Sequence, residues 1–287
     1  MNLQRIFTDI ADADPEFYER VSPRRASIRT FLRGASLTAL PIALGGLFKK
    51  AYGQGSPNTA LILETLNFAL TAEYLESTYY TMGMNNAALV AEFSAQGIRD
   101  GVDLLRQNEV AHRDFLIATI KKLNGTPIPE PTFDYTGGKG RGNGPFPDVM
   151  TNAATFIAVA QAFEETGVRA YKGQAANLMS DNAILTAALD IHSVEGRHAS
   201  YLRMIRKMKF GVDIKPWITG MESGIPQPAA KPTYAGEENT MQAAVNITGL
   251  PNKATNANIT TDAATEAFDE PLKKEEVEAI LANFIVA

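Results

Sequence analysis

The chain has 287 residues, a formal net charge of −5 and no cysteine. A hydrophobic fraction of 45% and a charged fraction of 21% are typical of globular proteins and exclude a wholly disordered chain. The acidic balance lacks the basic footprint of a nucleic-acid-binding protein, and the missing cysteine excludes disulfides and thiolate ligands. A metal site would therefore use nitrogen and oxygen ligands, and only three histidines can supply imidazole nitrogen.

The N-terminal segment, residues 1–53, has the layout of an export signal. Arg24 and Arg25 lie in a basic region, an apolar stretch follows over 36–48, and small residues come after it. The arginine pair resembles a twin-arginine signal, which predicts an exported, periplasmic or extracellular protein that begins near Gln54 after cleavage. The alternative is an amphipathic helix that stays on a cytoplasmic protein.

Four long segments then show the apolar periodicity of helices. They cover 57–82, 95–124, 150–179 and 182–209. Short polar breaks separate the first from the second and the third from the fourth, whereas a connection rich in glycine and proline occupies 126–148. Two short connections and one long crossover are the ferritin-like arrangement of an all-α four-helix bundle, which we predict over 54–210.

Residues 211–287 are predicted to form a C-terminal extension that packs on the bundle. Five prolines between positions 216 and 251 favour irregular structure, with one short strand or helix at 241–250. A closing amphipathic helix is predicted over 269–286, and its apolar face carries Val277, Ile280, Leu281 and Phe284. No apolar run reaches the roughly 18 residues of a membrane span, so we expect no transmembrane segment.

Two of the three histidines follow a glutamate by three positions: Glu109 precedes His112, and Glu195 precedes His198. Positions three apart share one face of a helix, so a carboxylate and an imidazole in this spacing can bind the same metal. At the helical period both glutamates fall in the centre of an apolar stripe. An unpaired buried carboxylate costs several kcal/mol, so something must neutralise these acids.

The first and third predicted helices supply two more inward acids. Glu73 and Glu164 align with the apolar residues of their own helices, and Glu76 is a second candidate beside Glu73. Glu165 turns away from the stripe and is predicted to face solvent, where Arg169 four residues later can pair with it.

The predicted metal ligands are Glu73, Glu109, His112, Glu164, Glu195 and His198. One glutamate from each of two helices and a Glu-x-x-His from each of the other two form the arrangement of di-iron and di-manganese bundles. The charges of four carboxylates would balance those of two divalent cations. We predict no catalytic or cofactor-binding residue beyond this metal site, and a metal-free core of Glu–His pairs is the alternative.

The segments that carry these residues resemble the ferritin-like superfamily, and within it the ferritin-like-domain branch that includes the desiccation-related proteins. The similar segments are LNFALTAEYLESTYY (66–80), NEVAHRDFL (108–116), AFEETGVRAYKG (162–173), VEGRHASYL (194–202) and AFDEPLKKEEV (267–277). The resemblance covers 57–285 and implies the same six ligands, but it implies no settled activity. The long extension and the lack of a channel-lining fifth helix do not match a 24-subunit ferritin cage, which leaves a homo-oligomer open.

Nitrogen and oxygen ligands without sulfur favour two iron or manganese ions, and zinc can occupy the same ligands in their place. We therefore expect a ferroxidase-like or peroxide-handling oxidoreductase whose partner is O2 or peroxide, with a manganese-catalase-like activity as the close variant. The alternative function is an exported structural or desiccation-stress-protective protein whose metal site is relict or structural. His192 stands beside the six ligands as a core residue or a further ligand.

Overall fold

The computed structural model describes residues 57–252 and 254–286. The predicted export signal at 1–53 lies outside the described residues, so it stays a prediction. Within the described ranges, no helix combines the length and the apolar character that crossing a membrane requires.

Four long helices form the bundle: α1 (Thr59–Asn85), α3 (Arg99–Lys122), α4 (Ala153–Gln174) and α5 (Asn182–Phe210). Helix α1 packs along α3, and α4 packs along α5. The connection between α3 and α4 is the long one, so the predicted all-α ferritin-like bundle with one crossover is confirmed. The predicted helix boundaries agree with these to within a few residues, except where α4 ends at Gln174 and a 3₁₀ turn follows.

A further helix, α2 (Ala87–Gln96), occupies the connection where the sequence predicts only a break. Asn86 explains it, because its side-chain oxygen accepts hydrogen bonds from two backbone N–H groups in the first turn of α2. Gly97 ends the helix at φ 69°, in the left-handed region that glycine adopts most easily. Leu89 and Phe93 of α2 are fully buried, so the helix completes one end of the core.

A partly exposed aspartate shapes the crossover between α3 and α4. The Asp134 carboxylate accepts backbone hydrogen bonds from Gly140 at 2.9 Å and Gly142 at 3.0 Å, which closes the glycine-rich turn on itself. An isolated β-bridge pairs Phe133 with Ile285 and ties the crossover to the end of the extension. The crossover is therefore anchored at both its own turn and the C-terminal segment.

The extension after α5 is irregular and carries only short elements. Besides two 3₁₀ turns, these are α6 (Lys231–Tyr234), the two-residue strands β1 (Met241–Gln242), β2 (Val245–Asn246), β3 (Pro251–Asn252) and β4 (Ala257–Asn258), then α7 (Thr261–Glu266) and α8 (Lys274–Leu281). Strands β1 and β2 pair antiparallel, as do β3 and β4.

The closing helix α8 is shorter than predicted. The backbone N–H of Leu272 donates to the carbonyl oxygen of Arg169 at 3.1 Å, so the residues before α8 run against α4 rather than continuing the helix. Glu276 accepts from the Lys273 backbone N–H at 2.7 Å and caps the start of α8. Val277, Ile280 and Leu281 of its predicted apolar face are buried, and so is Phe284, which follows the end of the helix.

Buried arginines fasten the extension to the bundle. Arg203 of α5 forms an ion pair with Glu165 of α4 and donates to the backbone carbonyls of Trp217 and Glu222 at 3.2 and 2.8 Å. The side chains of Arg203 and Glu165 are 2% and 3% exposed, so their ion pair is shielded from water. The guanidinium therefore links two bundle helices to the start of the extension.

The prediction for Glu165 is wrong. This acid is buried rather than exposed, and its partner is Arg203 instead of Arg169. Arg169 is also buried and pairs with Glu237 of the extension at 2.8 Å. The helical wheel correctly turned Glu165 away from the bundle centre, but it could not show that the extension covers that face of α4.

We expect Arg203→Ala to lower the free energy of unfolding by about 3–5 kcal/mol, because it leaves the Glu165 carboxylate buried and unpaired. Thermal unfolding measures this, with Arg99→Ala as the control. Arg99 pairs with Asp100 at the surface, where the two side chains are 50% and 93% exposed, so its loss is expected to change little. Equal melting temperatures for the two variants would contradict the role of Arg203.

Candidate metal centre

The six predicted side chains meet in the middle of the bundle. The four acids are each 0% exposed, whereas the His198 and His112 side chains are 6% and 12% exposed. Each of the four long helices contributes the residues that the sequence predicts. Glu73 lies on α1, Glu109 and His112 lie on α3, Glu164 lies on α4, and Glu195 and His198 lie on α5. The three-residue spacing thus brings each histidine to the same side of its helix as its glutamate.

One imidazole nitrogen of His112 faces three carboxylates. Its Nδ1 lies 3.1 Å from Oε2 of Glu109, 3.1 Å from Oε1 of Glu195 and 3.6 Å from Oε2 of Glu73. A ring nitrogen carries at most one hydrogen, so it can satisfy only one of these oxygens by donation. The hydrogen bond goes to Glu109.

His198 repeats this arrangement on the other side. Its Nδ1 lies 2.8 Å from Oε1 of Glu109, 3.1 Å from Oε2 of Glu164 and 3.7 Å from Oε2 of Glu195. The hydrogen bond here goes to Glu164. The two imidazole rings are 6.1 Å apart between centroids, so the acids lie around and between them.

Two of the acids serve both histidines. The ligand atoms form two groups, within each of which all atoms lie no more than 4.8 Å apart: Glu73, Glu109, His112 and Glu195, and Glu109, Glu164, Glu195 and His198. Glu109 and Glu195 belong to both groups. A carboxylate has two oxygens, so these two residues can bridge a pair of metal ions while the others bind one ion each.

Several carboxylate oxygens in this cluster lie near an imidazole nitrogen but accept no hydrogen bond from the described residues. Oε2 of Glu73, Oε1 of Glu109 and both oxygens of Glu195 are buried and accept no hydrogen bond. Buried charged oxygens without donors are costly, so they indicate a cationic group that the protein itself does not supply. The residues therefore fit metal ions that prefer oxygen and nitrogen ligands.

Burial and crowding shift the ionisation of the cluster. Burial raises the pKa of Glu164 to about 7, and burial together with repulsion from neighbouring acids raises the pKa of Glu73. Burial alone would favour neutral imidazoles, but the surrounding carboxylates outweigh it and raise the pKa of both His112 and His198. Without metal, the cluster therefore holds protons at neutral pH.

Two buried tyrosines orient Glu73 and Glu164, each of which belongs to only one of the two ligand groups. The Tyr171 hydroxyl donates to Oε1 of Glu73 at 2.5 Å, and the Tyr80 hydroxyl donates to Oε1 of Glu164 at 2.5 Å. In each case the second oxygen of the carboxylate is left facing an imidazole. At the helical period both tyrosines fall on the apolar stripe of their own helix, and this is the sequence signal that could identify them.

Glu76 and His192, which the sequence left as possible further ligands, both lie outside the two ligand groups. Glu76 is 2% exposed, and burial and nearby acids raise its pKa, but it belongs to neither ligand group. Its carboxylate lies beside Gly167, where an added Cβ would be 3.4 Å from Oε1. His192 Nδ1 lies 2.9 Å from the carbonyl oxygen of Val168, so this ring bonds to the backbone of α4, and it is in neither ligand group.

Two cavities lie near the cluster, one lined in part by Tyr171 and the other in part by His198. An apolar cavity of about 20 Å³ reaches Gly167 and Tyr171, and its walls include the small residues Ala69, Ala72 and Ala188. A groove of about 430 Å³ lies between α3 and α5, which do not pack closely against each other. Its lining residues are Gly101, Leu104, Leu105, Asn108, Val194, Arg197, His198 and Tyr201.

Comparison with known families agrees with this geometry. The family described as ferritin-like domain matches residues 62–208, a range that includes all six converging side chains. The match is at the level of that family, and placement in the desiccation-related branch stays a prediction. The chain matches no curated protein.

Metal-free protein is expected to lose stability as the pH rises from about 5 to 8. The Glu164 pKa rises from an ordinary 4.5 to about 7 on folding, so the stability present below 4.5 is lost as the pH passes through 7. The raised pKa values of Glu73 and of the two imidazoles also lower the stability of the folded chain as the pH rises through this window. The loss attributable to Glu164 is on the order of 3 kcal/mol.

Thermal unfolding in chelator across this pH range tests the expectation, and Glu164→Gln should flatten the dependence. Added Mn²⁺ should reverse the trend, because the ligands must release protons to bind metal. A melting temperature that rises between pH 5 and 8 in chelator would contradict the assignment of protons to the cluster.

Proposed function

Since the chain belongs to the ferritin-like domain family, we propose that it is an oxidoreductase that holds two iron or manganese ions and acts on O2 or peroxide. The observation that carries the proposal is the ring of three carboxylate oxygens around Nδ1 of each imidazole. One hydrogen cannot satisfy three acceptors, whereas one cation can coordinate all of them together with the nitrogen.

The ligand groups assign a role to each residue in this proposal. Glu73 and His112 would hold one ion, Glu164 and His198 would hold the other, and the acids common to both groups would bridge them. When bound, such a metal pair supplies redox equivalents and free coordination positions for a small oxidant. Zinc would fit the same ligands without supplying electrons.

The surrounding residues would support this chemistry by orientation and by excluding water. Tyr80 and Tyr171 fix the carboxylates of Glu164 and Glu73. The apolar cavity beside Gly167 has a volume of about 20 Å³. A volume of roughly 10–15 Å³ is enough for one water-sized molecule, so the cavity has room for about one such molecule next to Tyr171. The groove at His198 would give a wider approach to the other side of the site.

We expect Fe(II) added to the metal-stripped chain to be oxidised faster than in buffer, with about two irons per chain in a first phase, as a two-metal site requires. Glu73→Ala and His198→Ala should lose this phase, since each removes a ligand of one ion. Glu64→Ala is the matched control, because this glutamate of α1 is exposed and pairs with Lys274 at the surface. Stopped-flow absorbance under air measures the rates.

Assays on the same metal-stripped and metal-loaded chains distinguish the other candidate functions. Peroxide destruction by the manganese-loaded chain, with no response to iron, would favour the catalase-like variant. A site that fills with metal and gives neither reaction would favour the structural or stress-protective alternative. Wild-type and Glu73→Ala chains that oxidise iron equally fast would contradict the proposal.

A further inference from the structure

Asn108 connects α3 to α5 across the groove. It precedes Glu109 by one residue, and its side-chain amide lies 3.0 Å from Nε2 of His198. Nδ1 of the same ring faces the carboxylates of Glu109 and Glu164. The ring is therefore held at both of its nitrogens, one by the acid cluster and the other by this amide.

The chemistry of the ring decides which amide atom must face it. An imidazole that binds metal through Nδ1 carries its hydrogen on Nε2, and an imidazolium carries one there as well. In both states Nε2 is a donor, and only the amide oxygen of Asn108 can accept from it. The atom in that position is the amide nitrogen, and a half-turn of the planar amide brings the oxygen to the same place.

His112 has no equivalent support. Its Nδ1 is surrounded by acids, but Nε2 makes no hydrogen bond to any residue that the structure describes. Its side chain is also more exposed than that of His198, at 12% against 6%. Two ligand groups that are otherwise alike thus differ in how firmly their histidine is oriented.

We propose that Asn108 is a positioning residue: by accepting from Nε2, it holds His198 with Nδ1 toward the acids. The metal position formed with Glu164 and His198 then fills before the position formed with Glu73 and His112. This inference rests on the proposed two-metal site. Losing such a partner typically lowers metal affinity by roughly 10–100-fold, and we expect an effect of that size at the His198 position only.

The three histidines make the test direct, because the ring ¹⁵N spectrum of the full chain contains only three imidazoles. Metal-stripped protein is titrated with Zn²⁺, which is diamagnetic and accepts the same ligands. In the wild type, Nδ1 of His198 should shift with the first equivalent and that of His112 with the second. The variants His112→Gln and His192→Gln assign the signals.

Asn108→Leu removes the acceptor at similar size and should lower affinity at the His198 position by roughly 10–100-fold, so that His198 no longer responds first. Asn108→Asp keeps an acceptor oxygen and should restore the order. Gln107→Leu is the control, since Gln107 is exposed on the same helix and bonds to Asp103. Should Asn108→Leu fail to fold, Asn108→Ala removes the same acceptor with less bulk.

The outcomes distinguish this inference from the function on which it rests. If two ions bind and their order and affinity are the same in wild type and Asn108→Leu, the positioning role is wrong and the metal site stands. If the wild-type chain takes up no Zn²⁺, Fe²⁺ or Mn²⁺ at the six residues, the two-metal function itself is overturned, and the filling order with it.

Discussion

Four fully buried carboxylates share the centre of the bundle, and their mutual repulsion is the constraint on which the rest of this structure depends. Two imidazoles can offset at most half of that negative charge, and they leave four oxygens without a donor. The protein can relieve the remainder only by holding protons, which the raised pKa of Glu73 and Glu164 indicates, or by binding cations. The cluster is thus built for a charge that the chain does not contain.

Elsewhere in the fold, buried arginines pair with buried acids, so positive and negative charges occur together. Arg203 faces Glu165 and backbone carbonyls of the extension, so each charge there has protein partners. Arg169 and Glu237 also form an ion pair through Oε1 of Glu237, although Oε2 of that residue accepts no hydrogen bond. Where the chain needs a buried ion pair for structure, it supplies both signs. In the bundle centre it supplies an excess of one sign, which is the pattern of a binding site.

The sequence predicted the centre of the molecule well because helical period relates chain position directly to the direction of a side chain. The inward acids and the Glu-x-x-His pairs both followed from that one rule. It failed for Glu165, because a wheel shows which way a residue points and not what covers it. Asn108 was missed for a similar reason, since its contact with His198 depends on the separation of α3 and α5.

The central claim is that the six side chains bind two metal ions. X-ray diffraction at the manganese absorption edge tests it most directly, on crystals of metal-stripped full chain soaked in Mn²⁺. We predict two anomalous peaks about 3.5–4 Å apart, as in other two-metal sites, one beside Nδ1 of His112 and the other beside Nδ1 of His198. A map with well-ordered side chains and no peak among the acids would contradict the account.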